Sequence, residues 1–165
     1  MKIQIGGLSE GIHQYGFTVP ASDLDLGDQF AADVDVEATL DKTSNQILLT
    51  AKLTVMGDFV CDRCIGSFQR KLAPSYTMLY ALEGSEPAHL DPSEFQIMPP
   101  GLHIIDIAED IRQSILLAVP LKLLCRETCK GLCPSCGQNL NEGECSCKSE
   151  LTDSRWEKLR KFGSA

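Results

Sequence analysis

The chain divides where the period of its hydrophobic positions changes. Phe30, Ala32, Val34, Val36, Ala38 and Leu40 occupy every second position, with Asp33, Asp35 and Glu37 between them. A period of two sends one set to a core and the other to water, so residues 30–40 are predicted to form a half-buried strand. Ile47, Leu49, Ala51, Leu53 and Val55 repeat the pattern after a turn over residues 41–45. Together the two runs predict an antiparallel hairpin with one solvated face. Phe68, Arg70 and Leu72, then Tyr76, Met78, Tyr80 and Leu82, continue the alternation around Pro74, which marks an edge or a bulge. Residues 83–92 read as a polar, turn-like loop, and residues 94–98 as a short strand before Pro99-Pro100-Gly101.

The period then lengthens. Ile107, Ile111, Ile115 and Ala118 fall at helical spacing, and Asp106 followed by Glu109 has the form of an N-cap and capping box. An amphipathic helix is therefore predicted over 106–118, ending before Pro120. A short terminal helix is predicted from Thr152 to Phe162, with Trp156 and Leu159 as its apolar contacts. The expected fold class is α+β. A mainly antiparallel β-rich part with a helix (1–124) precedes a cysteine-rich, zinc-binding module with a terminal helix (125–165), the two packed as one unit.

Eight cysteines among 165 residues change this picture, because six of them lie between Cys125 and Cys147. The first ten residues lack the apolar stretch of a secretory leader, and the greasiest run, 115–124, is too short to cross a membrane. The expected location is cytoplasmic, where thiols stay reduced and clustered cysteines bind metal. An exported chain would instead carry disulfides. Cys61-Asp62-Arg63-Cys64 follows the second strong strand, and its two-residue spacer lets a tight turn aim both sulfurs at one point. Three residues separate Cys125 from Cys129, Cys133-Pro134-Ser135-Cys136 forms a second two-residue turn, and Cys145-Ser146-Cys147 is tighter. Four pairs supply two tetrahedral sites with none left over. The favoured division joins Cys133, Cys136, Cys145 and Cys147, which closes only a short loop, and Cys61, Cys64, Cys125 and Cys129 across a long one. A crossed arrangement of 61/64 with 133/136 is the alternative. All-thiolate tetrahedra point to two zinc ions, each held by four cysteines, with iron or an iron–sulfur cluster as the lesser option. Four protein ligands leave no open coordination position, so such sites are structural. A thiol-based redox sensor is the rival reading.

Charge narrows the partners. The net formal charge is −8, and it is uneven: residues 1–124 carry 8 Lys+Arg against 17 Asp+Glu, whereas residues 125–165 carry 7 against 6. An acidic chain does not coat nucleic acid by bulk charge. The acidic β-rich part reads either as a solvated sheet face or as a docking face for a basic partner. Catalytic signals are thin: no phosphate loop, nucleophile elbow or HExxH occurs, Asp23, Asp25 and Asp28 lack an EF-hand's glycine and terminal glutamate, and His13, His89 and His103 are scattered. The chain is not expected to be an enzyme.

The stretch Ala118-Val119-Pro120, then residues 125–141 (CRETCKGLCPSCGQNLN), resembles the YceD family of bacterial and plastid proteins linked to accumulation of large-subunit ribosomal RNA. Cys61 and Cys64 match the family's upstream CxxC, and Asp153-Ser154-Arg155-Trp156-Glu157-Lys158-Leu159 is similar to its closing helix. The resemblance covers roughly residues 20–162. It implies a non-enzymatic role in large-subunit rRNA processing and ribosome assembly, with no catalytic residues to carry over. Two modes are compatible with the charge. The acidic face can engage a basic ribosomal protein or a pre-ribosomal large subunit, or Lys122, Arg126, Lys130 and Lys148 can contact rRNA directly. A general zinc-stabilised adaptor is the alternative outside the ribosome.

Overall fold

Gln46–Val60 is the longest strand, and the others assemble around it. In this computed structural model, which describes residues 1–85, 87, 91 and 94–147, the strands are β1 (Lys2–Gln4), β2 (Gly11–Val19), β3 (Val34–Lys42), β4 (Gln46–Val60), β5 (Ser67–Leu72), β6 (Ser75–Leu82), β7 (Phe95–Met98) and β8 (Ile104–Asp106). A 3-10 turn (Ala21–Leu24) follows β2, and α1 (Ala108–Leu117) follows β8. The main sheet has the order β2-β3-β4-β6-β7, while β1 and β8 form a separate antiparallel pair. The architecture is α+β.

Alternation in β3 and β4 does what the pleat requires. Val34, Val36, Ala38 and Leu40 and, across the ladder, Ile47, Leu49, Ala51, Leu53 and Val55 are all buried on one face. Helix α1 covers that face with Ile111 and Ile115, joined by Ile107 just before its first turn, each fully buried. On the far side of β4, β6 pairs with Gln46 to Lys52 and β5 with Val55 to Val60. Both follow one antiparallel register, so β5 and β6 are a single strand interrupted at residues 73–74. Pro74 lacks an N–H but its carbonyl still accepts from the Leu53 N–H (2.8 Å). No residue is inserted there, so Pro74 marks an edge and not a bulge.

Several elements depart from the alternation. β3 begins at Val34, not residue 30: Ala32 is exposed, and Phe30 leaves the strand to stand edge-on to Phe59 (5.9 Å, 87°). β4 runs on to Val60, beyond the predicted alternation. Residues 1–19, where no hydrophobic period stands out, contain β1 and β2; half-buried His13, Tyr15, Phe17 and Val19 alternate along β2. β7 lies parallel to β6, so the sheet is mixed.

The predicted capping box does not form, because Asp106 is the last residue of β8 and α1 starts two residues later. The Asp106 carboxylate still accepts the Ala108 N–H (3.1 Å) and the Met1 amino group (2.8 Å). Those two bonds, the amino group first, hold it below the usual carboxylate range. Glu109 turns to the Gln113 amide instead (3.0 Å). Residues 86, 88–90 and 92–93, the terminal helix predicted over 152–162, His89 and Lys148 lie outside the described residues. Among the described residues no helix is long and apolar enough to cross a membrane.

Candidate metal centre

The long hairpin of β4 with β5 and β6 turns over at residues 61–66, and its tip is the first CxxC. The Ile65 N–H bonds the Cys61 carbonyl (2.9 Å) and the Cys61 N–H bonds the Gly66 carbonyl (2.9 Å). Cys133–Gly137 repeats this construction: the Gly137 N–H bonds the Cys133 carbonyl (2.9 Å) and the Cys133 N–H bonds the Gln138 carbonyl (2.8 Å). In both turns the residue after the second cysteine is left-handed, φ 58° at Ile65 and 76° at Gly137. Glycine takes this conformation freely. A β-branched isoleucine does so at a cost of about 1–2 kcal/mol.

The eight sulfurs gather in two groups. Cys61, Cys64, Cys125 and Cys129 form one; Cys133, Cys136, Cys145 and Cys147 form the other. Within each, the four sulfurs lie within 4.8 Å of one another. The crossed arrangement of 61/64 with 133/136 is not formed. In the first group Cys61 and Cys129 are buried and their sulfurs are 3.8 Å apart, as are those of Cys64 and Cys125. A tetrahedron of ~2.3 Å metal–sulfur bonds has edges of about 3.8 Å. The donor set and the spacing fit a metal ion.

The first group joins distant parts of the chain, and backbone bonds hold its two halves in place. The Asp62 N–H donates to the Leu123 carbonyl (2.8 Å) while the Asp62 carboxylate accepts the Leu123 N–H (2.6 Å). Arg63 reaches from the hairpin tip to the carbonyls of Cys129 (2.8 Å) and Glu127 (3.2 Å). Its own carbonyl accepts the Leu132 N–H (3.1 Å). Gly131, at φ 78°, passes so close that a Cβ would sit 3.0 Å from the Arg63 carbonyl oxygen. Asn141 links the groups: its Nδ2 donates to the Cys129 sulfur (3.3 Å), and its Oδ1 accepts from the Lys130 N–H (2.9 Å) and Arg126 (2.8 Å).

Electrostatics within each group are uneven. Backbone N–H donation from Cys125, with further bonds from Cys64 and Arg63, brings the Cys61 thiol down to about 6. N–H bonds from Cys136 and Ser135 do the same for Cys133, also to about 6. Burial and the neighbouring sulfurs push Cys125 up to about 12, and the Cys136 side chain with burial pushes Cys147 to about 12. The first thiolate in each group forms readily and the last is opposed by it. A cation removes that opposition, which is the electrostatic case for an ion at each point.

The cationic residues singled out in the sequence are less alike. Lys122 and Lys130 are exposed, whereas exposed Arg126 is tied to Asn141. Lys122 and Arg126 line a shallow groove of about 360 Å³ with Phe68 and Arg70, which alternation marks only as strand residues. Asp62, Arg63 and Asn141 carry no signal in the sequence beyond their place inside or beside the cysteine turns. His13 bonds the Ser9 carbonyl (2.9 Å) and His103 packs on Gly6, so neither enters a cysteine group.

A family model described as "Large ribosomal RNA subunit accumulation protein YceD" matches residues 49–163, from within β4 through both cysteine groups. The chain belongs to the YceD family. A chloroplastic protein of Arabidopsis thaliana named as a large ribosomal RNA subunit accumulation protein YCED homolog is 40% identical over 55 residues, 33% of this chain and 17% of that protein. Its counterpart in Zea mays is 49% identical over 45 residues, 27% of this chain and 15% of that protein. An uncharacterized protein of Mycobacterium tuberculosis is 27% identical over 126 residues, 76% of this YceD-family chain and 60% of the relative. No solved structure matches the chain.

Proposed function

We propose that this YceD-family chain is a non-enzymatic factor in large-subunit rRNA accumulation, stabilised by two structural zinc ions, that binds a basic ribosomal protein or the pre-ribosomal particle carrying it. The observation that carries the binding mode is the placement of Asp35, Glu37 and Asp41. All three project, exposed, from the solvent face of β3. With eight thiolates and two Zn²⁺, the formal charge moves from −8 to −12, so occupied sites favour a basic partner further. Cys61, Cys64, Cys125 and Cys129 would hold one ion, and Cys133, Cys136, Cys145 and Cys147 the other. Each closed site would contribute on the order of 10 kcal/mol of apparent binding free energy to folding. Residues 1–124 and 125–147 then act as one packed unit, clamped through Arg63.

A second reading, direct rRNA contact through Lys122, Arg126, Lys130 and Lys148, draws support from the groove. There a partly exposed aromatic, Phe68, lies beside three cations, an arrangement suited to stacking and phosphate contact. The test is capture of the intact chain from lysate, with and without nuclease, identifying metal, RNA and protein together. Two zinc ions per chain and a large-subunit ribosomal protein retained after nuclease are expected. Retention that depends wholly on RNA favours the groove. Capture without any ribosomal component leaves a general adaptor, and loss of metal and partner together in mild peroxide leaves a redox sensor.

A further inference from the structure

We infer that the free edge of β2 receives an extended, basic segment of the partner as an added strand. This rests on the proposed function and gives it a binding mode. β2 reads GIHQYGFTV, without a charged residue or a proline over nine positions. It pairs with β3 in an unbroken register from Gly11 opposite Lys42 to Val19 opposite Val34, so no bulge turns it away. Among the described residues no backbone group bonds its other edge. Exposed edges in natural sheets are blunted by lysine, proline, a bulge or a cover, because alternate N–H and C=O groups there template another strand. β2 has none of the first three. On its inner side Tyr15 and Phe17 stack half-exposed, with centroids 6.2 Å apart and planes within 6°.

The outer side selects the occupant. Asp41, Glu37 and Asp35 stand on β3 opposite Ile12, Gly16 and Thr18. Gly16 has no side chain, and a Cβ there would meet nothing within 4 Å. The result is a hollow of about 440 Å³ between Gln14, Glu37, Thr50 and Lys52. A strand added to β2 lies ~10 Å from β3, two interstrand spacings away. From there a lysine or arginine opposite Gly16 reaches across the glycine to Glu37. Lys52 faces Glu37 from β4, but the two form no ion pair within 4 Å. The next outward position meets Thr18, whose hydroxyl is bonded to Asp35 (3.0 Å). Alternate inward positions cover Tyr15 and Phe17. The fitting ligand thus alternates basic and apolar residues. A second copy of this chain would place uncharged β2 where the carboxylates call for cations, and RNA would bring phosphates to them.

The probe is a fluorescein-labelled peptide of alternating lysine and valine, as long as β2. Saturable binding with slowed amide exchange along Gly11–Val19 is expected. Glu37→Lys and Gly16→Val, the latter into open space, should each weaken binding about tenfold or more, with circular dichroism unchanged. A peptide of the same charge, N-methylated on alternate amides, should not bind, because it cannot pair with an edge. Equal binding by the methylated peptide, unchanged β2 exchange, slowed β2 exchange in an oligouridine alone, or β2 protection that follows self-association in sedimentation would each overturn the inference. In lysate, capture undiminished by Gly16→Val overturns the edge assignment and leaves the proposed function standing. Failure of the wild-type chain to capture any ribosomal protein overturns the proposed function itself.

Discussion

Removing the two cysteine groups separately should have unequal consequences. From Cys64 to Cys125 the first group closes a loop of 61 residues, whereas from Cys136 to Cys145 the second closes one of 9. Treated as cross-links of the unfolded chain, the longer loop is worth about 4 kcal/mol and the shorter about 2.5 kcal/mol. The larger difference lies in what each constrains. Cys61 is 1% exposed at the end of β4, so losing the first group frees the hairpin tip from the 123–132 segment that Arg63 and Asp62 hold. The second group lies in its own short loop, which joins the first group through the Leu132 N–H bond to Arg63 and through Asn141. Cys61→Ser with Cys64→Ser should lower the main thermal transition by roughly 10 °C or more, at the ~3 °C per kcal/mol expected for this size. Cys136→Ser with Cys145→Ser should leave that transition within about 3 °C, melting only its own loop. Calorimetry with far-ultraviolet circular dichroism reads the first difference, and zinc per chain by mass spectrometry should show one ion left in each variant. Equal losses of stability, or loss of both ions from the second variant, would refute the reasoning.

Two further outcomes follow from close geometry. Gly131→Ala should cost about 1–3 kcal/mol and weaken zinc retention against a chelator, because it adds left-handed strain to a 3.0 Å approach to Arg63. Gly137→Ala, with open space at the same kind of φ, should cost only about 1 kcal/mol, and a urea titration compares them. The buried Tyr80 and Tyr76 hydroxyls have no hydrogen-bond partner among the described residues, so Tyr80→Phe should be neutral or stabilising by up to about 1 kcal/mol. Burial first, then the Asp110 charge, pushes Tyr80 up to about 12. A raised phenol favours the fold fully below its ordinary ~10, and that contribution is lost as pH rises through 12. Tyrosinate absorbance from Tyr80 near pH ~10 in an intact fold would contradict this.

Much of the framework was legible because it is local. Alternation marked β3 and β4, and the spacing of Ile107, Ile111 and Ile115 marked the buried face of α1. Errors came where tertiary context competes with pattern. Phe30 looked like a strand residue but is buried by an edge-on contact with Phe59. Asp106 looked like a cap but was drawn into a pairing with Lys2 at the other end of the chain. β2 was missed because its inward residues are only half-buried and two glycines dilute the signal.

By itself the sequence determined the periods, the four cysteine pairs and the excess of acid in its first 124 residues, since each is a property of neighbours along the chain. Tertiary structure alone decided that β5 and β6 are one strand and that β7 runs parallel. It also decided which cysteine pairs meet, and that a row of carboxylates stands one strand inside an open edge. Those facts depend on register between segments tens of residues apart. Backbone geometry sets a period within a few residues, but pairing is chosen by the burial, charge and hydrogen bonds of the whole assembled fold.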